Sequence, residues 1–318
     1  MPLEHNVLRG LRRYALTGAP LLVAVSGGQD SIILLYILKR LSPVLKAPVS
    51  VAHIHHGVGS ARQVLYRNKA QKFVEKNARD LGLEFFTVKR KAKLPLGSEE
   101  ELREYRYREL NKIREKIYKK TGVRPLLALG HHQDDQVETQ MIRLIRGTGL
   151  YGLRGIEFFS KSEGRVRPLL NCSKKELVAY SKKMKLKWCE DPSNEMVDPL
   201  RNWLRHKWFQ SLNKKVPGAT ASLARSLKLI VSEGLPSEAR SKENKNGLDR
   251  RRFLELSRDE KAIHIAGYLR ELKMTRYSQG QIEEICRRLD NRRVEYTFTI
   301  LKHEWRVDAR RILALKLE

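Results

Sequence analysis

The sequence predicts an α/β protein: a parallel sheet with helices on both faces, followed by a second, smaller α+β domain. Three observations point there. Up to Gly147, apolar runs of strand length alternate with helix-length segments, the pattern of parallel βαβ units. A glycine-containing turn joins the first of these runs to the first helix. After residue 250, two amphipathic helices precede β-leaning sequence, the order of an α+β unit.

Strands are expected at "LLVAV" (21–25), "PVSVAHI" (48–54), "LEFFTV" (83–88) and "PLLALG" (125–130). Each is a short apolar run of the kind buried on both faces of a parallel sheet. Helices are expected at 31–41, 62–81, 99–119 and 134–146. The glycine-rich "RGTGLYGLRG" then leads to a fifth strand candidate, "RVRPLL", and to helices near 174–184 and 199–212. "ATASLARSLKLI" reads as helical, whereas 231–250 is polar, with Gly, Pro, Ser and Asn, and reads as an exposed connection. Helices at 251–272 and 278–289 precede strand-like "VEYTFTI" and "EWRVDARRILALKL". The expected division is an α/β domain over 1–215 and a smaller α+β domain over 216–318.

The 318 residues carry 64 Lys and Arg against 36 Asp and Glu, a formal net charge of +28. From Val216 onward the balance is 22 to 15, and before it 42 to 21, so both halves are basic. Such a charge points to a polyanionic partner, and nucleic acid is favoured over general solubilising charge because the bases are interleaved with folded-looking sequence. No polybasic amphipathic stretch stands apart and no apolar run approaches ~18 residues, so no membrane association is expected. The N-terminus lacks a signal-peptide pattern, which predicts a cytoplasmic protein. Cys172, Cys189 and Cys286 form no C-x-x-C pair, which argues against a zinc ribbon, an iron–sulfur cluster or a disulfide framework. They read as small buried residues.

"LLVAVSGGQDSIILLYIL" places Ser26, Gly27, Gly28, Asp30 and Ser31 where a strand end meets a helix N-terminus. Glycines allow close backbone approach, successive amides and the helix dipole favour an anion, and the serines add hydroxyl donors. Asp30 would repel a phosphate unless a cation lay between them, which Mg²⁺ bound to polyphosphate resolves. A tight turn with Asp30 or Ser31 as helix cap is the alternative. A second group lies in "LALGHHQDDQVETQMIRLIRGTGLYGLRG": His131 and His132 leave a strand, and Asp134, Asp135 and Glu138 open a helix. At i,i+3 and i,i+4 spacing these acids share a face, and they need a cation nearby, either a metal or a ligand ammonium. An acidic N-terminus satisfied by the helix dipole is the alternative. In "RNWLRHKW", Arg201 and Arg205 share a helix face and could grip phosphates, while Trp203 and Trp208 read as packed.

The S-G-G-x-D-S turn after an apolar strand resembles the pyrophosphatase loop, or PP-loop, of the N-type ATP pyrophosphatases. G-H-H-x-D-D-Q-x-E-T followed by R-L-x-R-G-T-G-L-x-G-L resembles the signature of the tRNA(Ile)-lysidine synthetases. "HIHHG" (53–57), "SEEELREYRYREL" (98–110), "WCEDPSN" and "RNWLRH" (201–206) are similar to further passages of that family, over roughly residues 20 to 210. After His56-Gly57 the family's Leu-Arg is replaced by Val58-Gly59, so no arginine is assigned there. The resemblance implies a Rossmann-like PP-loop domain and a C-terminal tRNA-binding domain. The activity it implies is an ATP-dependent ligase that converts the wobble cytidine of an isoleucine tRNA with a CAU anticodon to lysidine. The partners implied are that tRNA, free L-lysine, ATP and Mg²⁺. ATP would contact Ser26, Gly27, Gly28, Gln29, Asp30, Ser31 and His53, with Asp30 as the Mg²⁺ ligand. Lysine would meet Asp135, Glu138 and His132, and tRNA would meet Arg201, Arg205 and Arg106. Asp30, Asp135 and Arg103 are the expected catalytic residues. A tRNA thiolase would want clustered cysteines; a catalytically silent tRNA-binding protein would not need Asp30, Asp135 and Glu138 together. A homodimer is compatible with the sequence, which fixes no oligomeric state.

Overall fold

The computed structural model describes residues 2–90, 99–150, 152–190, 199–234, 247–272, 274, 277–291 and 293–317. The chain divides into two compact units, Met1–Glu138 with Ile156–Ala224, and Thr139–Gly155 with Arg225–Glu318. Most of the expected 231–250 connection, Ser98, and residues 191–194 of the "WCEDPSN" motif lie outside the described residues.

In the first unit, β1 (Leu21–Ala24), β2 (Val49–His55), β3 (Glu84–Lys89), β4 (Leu126–Ala128), β5 (Phe159–Ser160) and β6 (Arg165–Val166) form one sheet in the order β3-β2-β1-β4-β6-β5. All pairs are parallel except β5 with β6. The four longer strand expectations are met to within about two residues, and the doubly covered parallel sheet is present. The fifth strand, by contrast, is reduced to Arg165–Val166, because Pro168 has no N–H to extend the ladder.

Alternation along β1 builds two cores. Leu21 and Val23 face α1 (Pro2–Arg13), α2 (Gln29–Leu45), α3 (Ala61–Asp80) and α6 (Lys174–Lys183). Leu22 faces the other way, with Ala52 and Ile54, against α4 (Glu99–Thr121). Helix α2 is central: Ile32, Ile33, Leu34, Leu35, Ile37 and Leu38 are all fully buried. Helix α1, not anticipated from sequence, docks by Leu3, Val7 and Leu11. Its buried Glu4 accepts a hydrogen bond from the Tyr180 hydroxyl (2.9 Å) and pairs with Arg40 (2.7 Å). From β1 the chain adds β2 and β3 on one side and then returns to place β4 on the other. That reversal makes the crevice beyond the C-terminal ends of β1 and β4 the natural ligand site of such a sheet.

The expected helix over 199–212 is α7 (Pro199–Trp203), a π-helical segment over Leu204–Trp208, and α8 (Phe209–Lys215). Trp203 is 49% exposed, correcting the expectation that it is packed, whereas Trp208 meets Phe209 edge-on at 4.9 Å. Helix α9 covers Ala219–Gly234.

The second unit contains an antiparallel sheet in the order β7 (Leu248–Asp249), β10 (Arg311–Lys316), β9 (His303–Val307), β8 (Tyr296–Ile300). Fully buried Trp305 stacks on Phe298 (5.8 Å) and takes Tyr268 edge-on (6.0 Å). The expected 251–272 helix is two, α10 (Arg250–Glu255) and α11 (Arg258–Glu271). The break follows from Ser257, whose side chain pairs with Glu260 and starts a new helix. Helix α12 (Gln279–Leu289) begins with a complete Ser278–Gln281 capping box.

Candidate active site

The turn after β1 starts α2 without a side-chain cap. Gly27 has φ +98, and a Cβ there would meet Ala70 of α3 at 3.3 Å, so only glycine fits. Gly28 is the N-cap of α2 and makes no side-chain cap hydrogen bond. The Ser31 hydroxyl instead donates back to the Gly28 carbonyl (2.8 Å), and Ser26 Oγ lies 3.2 Å from Ser31 Oγ. A helix start without a side-chain acceptor leaves its first-turn amides for an anion. Cys189 N–H donates to the Gly27 carbonyl (2.9 Å), and Gln29 Nε2 donates to Ser181 Oγ (3.0 Å), so the Gln29 side chain is tied to α6. His53, buried at the end of β2, donates Nδ1–H to the Val25 carbonyl (2.8 Å), which leaves Nε2 with its lone pair. Burial holds this ring below the usual histidine range, although the Val25 bond opposes that.

Asp30 bridges the two sequence motifs. Its Oδ1 pairs with Lys174 Nζ at 2.6 Å, and its Oδ2 lies 3.6 Å from His132 Nε2. Burial pushes the carboxyl up, but His132 and Lys174 outweigh it and hold Asp30 down at about 2. Lys174 was not singled out from sequence, where the Ser173–Glu176 capping box that starts α6 was the available signal. Gly130 allows the approach of β4: a Cβ there would stand 3.3 Å from the Ser31 amide.

Helix α5 (Gln133–Ile145) starts in the same crevice. Asp135 Oδ2 accepts from the His132 amide (2.9 Å), and the Asp134 amide points at His132 Nδ1 (3.2 Å). Asp134 Oδ1 accepts from the Lys174 amide (3.0 Å). His132 is thus ringed by Asp30, Asp134 and Asp135 at 3.5–3.7 Å. Burial would keep the ring neutral, but hydrogen bonding to Asp134 and Asp30 and the charge of Asp135 raise it to about 10. The Asp134 amide favours the neutral ring instead; in both charge states Nε2 carries a proton facing Asp30 and Asp135.

Asp135 and Glu138 do share one helix face, as their spacing predicts, and in this structure one cation satisfies both. Arg205, on the π-helical segment, donates Nη2–H to Asp135 Oδ1 (2.9 Å) and to Glu138 Oε2 (2.7 Å), and Nε–H to Glu138 Oε1 (2.7 Å). Arg201 Nε stands 3.8 Å from Glu138 Oε2. Glu138 is 2% exposed, and its burial raises the carboxyl against the pull of Arg205. Two of the three arginines expected to meet RNA, Arg201 and Arg205, therefore converge on the acids expected to meet lysine. Arg103 and Arg106, on α4, lie over the Tyr107 ring at 5.1 and 5.4 Å. Within "HIHHG", His55 is structural: its Nδ1 accepts from the Gly57 amide and Nε2–H donates to Asn68, both at 3.0 Å. Among the described residues no helix is long and apolar enough to cross a membrane.

The sequence matches the PP-loop domain family over residues 3–212. It is 39% identical over 316 residues to the tRNA(Ile)-lysidine synthase of Bdellovibrio bacteriovorus, covering 98% of this chain and 96% of that one. The synthases of Aromatoleum aromaticum and Pseudomonas fluorescens are 34% and 35% identical over 65% and 74% of this chain. This chain spans about half the length of those two, 46% and 51%. Among solved structures, a U34-tRNA thiolase from Methanococcus maripaludis shares the fold, with a TM-score of 0.57 over 78% of this chain and 80% of that one, at 18% identity. A glycine loop and a carboxylate pair meeting in one crevice, with this similarity along nearly the whole chain, place it: the protein belongs to the tRNA(Ile)-lysidine synthase family of PP-loop proteins.

Proposed function

We propose that the protein is an ATP-dependent ligase that converts the wobble cytidine of tRNA(Ile) with a CAU anticodon to lysidine. The observation that carries this reading is the junction at Asp30 and His132, which joins a nucleotide loop to an acidic amine site in a single crevice. In the first step the cytosine O2 attacks the α-phosphorus of ATP, and pyrophosphate leaves. In the second, the ε-amine of lysine attacks C2, loses a proton, and AMP departs with the former O2. Adenylation turns a poor leaving oxygen into a good one.

Ser26, Gly27, Gly28 and Ser31, with the amides of α2, receive the departing pyrophosphate, and His53 is assigned to the nucleotide. Among the described residues no three His, Cys, Asp or Glu side chains gather into a metal cage. Asp30 supplies one ionised oxygen ligand, which fits Mg²⁺ carried in by the nucleotide, since that ion keeps phosphate and water oxygens and takes one or two carboxylates. When bound, the ion supplies charge neutralisation at the departing phosphate. Asp135 and Glu138 receive the lysine ammonium in place of Arg205, with His132 holding Asp135 in position. Glu138, whose carboxyl burial raises, is placed to take a proton from the ammonium. Arg205, once displaced, joins Arg201 and Arg106 toward tRNA, and Arg103 meets the transferring group.

The test is transfer of labelled lysine to an isoleucine tRNA transcript in Mg-ATP, with parallel reactions lacking ATP or carrying uridine at the wobble position. Incorporation that needs ATP and the cytidine, with AMP and pyrophosphate released, is the expected result. Pyrophosphate release without incorporation would sink the lysine assignment, and tRNA binding without turnover would favour a silent binding protein.

A further inference from the structure

Two arginines occupy positions where the sheet calls for apolar side chains. Arg165 pairs in register with Leu127, and Val166 between Arg165 and Arg167 is fully buried toward the opposite face. Arg165 and Arg167 therefore point to the face built from Leu22, Ala52, Leu127, Leu129 and, on α4, Tyr107 and Leu110. Burying a guanidinium among such groups is costly unless its donors are used.

They are used only in part. Arg165 Nη1 pairs with Glu163 (2.8 Å), and its guanidinium lies 3.8 Å from the Tyr107 ring centroid. Arg167, 6% exposed, donates Nη1–H to the Glu157 carbonyl (2.7 Å). Yet Nε of both arginines, the hydroxyl of Tyr107 (8% exposed) and Nδ1 of His131 are buried with no hydrogen-bond partner among the described residues. Arg114, on the same helix as Tyr107 and 5% exposed, gives the contrast of a structural arginine. It is anchored by the carbonyls of Pro125 and Glu163 and by Asn111, at 2.8–3.0 Å. Among the described residues, Glu163 is the one carboxylate paired with Arg103, Arg165 or Arg167. Burial keeps His131 neutral, at about 3; Asp135 opposes this, while Arg167, Arg103 and Arg106 reinforce it. His131 follows β4, the strand that β6 pairs with, and precedes His132 at the start of α5. Arg103, exposed on α4, lies over the Tyr107 ring.

We propose that Arg165, Arg167 and the Tyr107 hydroxyl form a second phosphate site, apart from the glycine loop, that holds a phosphodiester of the polynucleotide substrate next to the reacting base. This rests on the function proposed above. The nucleotide's phosphates already have the start of α2, whereas this cluster lies across β4, on β6 and α4, and His131 follows β4. A polynucleotide must be held by backbone contacts for its base to stay in register, and guanidinium forks with a phenol suit a phosphate.

The test uses the full chain and the variants Arg167→Gln, Arg165→Gln and Tyr107→Phe, the last removing only the hydroxyl. tRNA affinity is measured across a salt series, and the KM for ATP from pyrophosphate release. Each arginine change should weaken tRNA binding and lower the slope of log affinity against log salt by about 0.7–1. Tyr107→Phe should weaken tRNA binding about 3- to 10-fold. In all three the KM for ATP should be unchanged. A raised KM for ATP with tRNA affinity intact would give the site to the nucleotide, and folded variants with neither change would make the arginines purely structural; either result overturns the proposal. Since tRNA binding is read without lysine transfer, a wild-type protein that binds tRNA yet makes no lysidine would fail the function and leave this site standing.

Discussion

With Lys174 on one oxygen and His132 facing the other, Asp30 remains a carboxylate throughout the physiological range. The same contacts mean that a metal ion must share it with Lys174. Asp30→Ala is expected to abolish tRNA-dependent pyrophosphate release. Asp135→Ala should leave part of that release and block lysine transfer; equal loss of both steps would remove its lysine-specific role. Arg205 supplies a sharper test. Arg205→Met strands buried Glu138, and with the arginine partly exposed and Arg201 nearby the loss of stability should be about 2–3 kcal/mol. Millimolar lysine should then raise the variant's Tm more than the wild type's, because the ammonium replaces the missing cation. An equal response in both proteins would argue against that replacement. The cysteines, read from sequence as buried, are buried, and burial pushes Cys172 up to about 12 and Cys286 to about 11. Native alkylation by iodoacetamide at pH 8 should be at least about 100-fold slower than in denaturant, as followed by mass spectrometry.

At the level of elements, short-range signals served well and their ends did not. The apolar runs at 21–25 and 83–88 are strands because their alternation feeds two cores. The 251–272 segment splits at Ser257 because a capping serine outweighs an unbroken apolar pattern. The π-helical segment at Leu204–Trp208 had no sequence signal, yet it presents Arg205 to α5. One turn is decisive for β2: Gly57 has φ +80, and a Cβ there would stand 2.5 Å from the Arg90 carbonyl. Gly57→Ala is expected to cost at least about 1–2 kcal/mol from the left-handed backbone alone, with more from the clash. A melting temperature within a degree of wild type would show that the turn relaxes freely.

Across the whole molecule, the +28 charge is shared by both parts of the sequence, so tRNA binding should be strongly salt-dependent. If six to ten phosphates are contacted, affinity should fall by roughly 10³–10⁵ between 50 and 200 mM salt. A flat response by filter binding would contradict the charge argument. The sequence by itself determined the α/β class, the glycine loop and the shared face of Asp135 and Glu138, because each is a matter of local spacing: a strand's period, a turn's backbone, a helix's pitch. Only the tertiary structure decided the partners. Lys174 reaches Asp30 across 144 residues and Arg205 reaches Glu138 across 67, while Arg165 meets Tyr107 because β6 lies beside β4 under α4. Charges so distant in the chain are brought together by the docking of helices on the sheet, and no local period records where that docking falls.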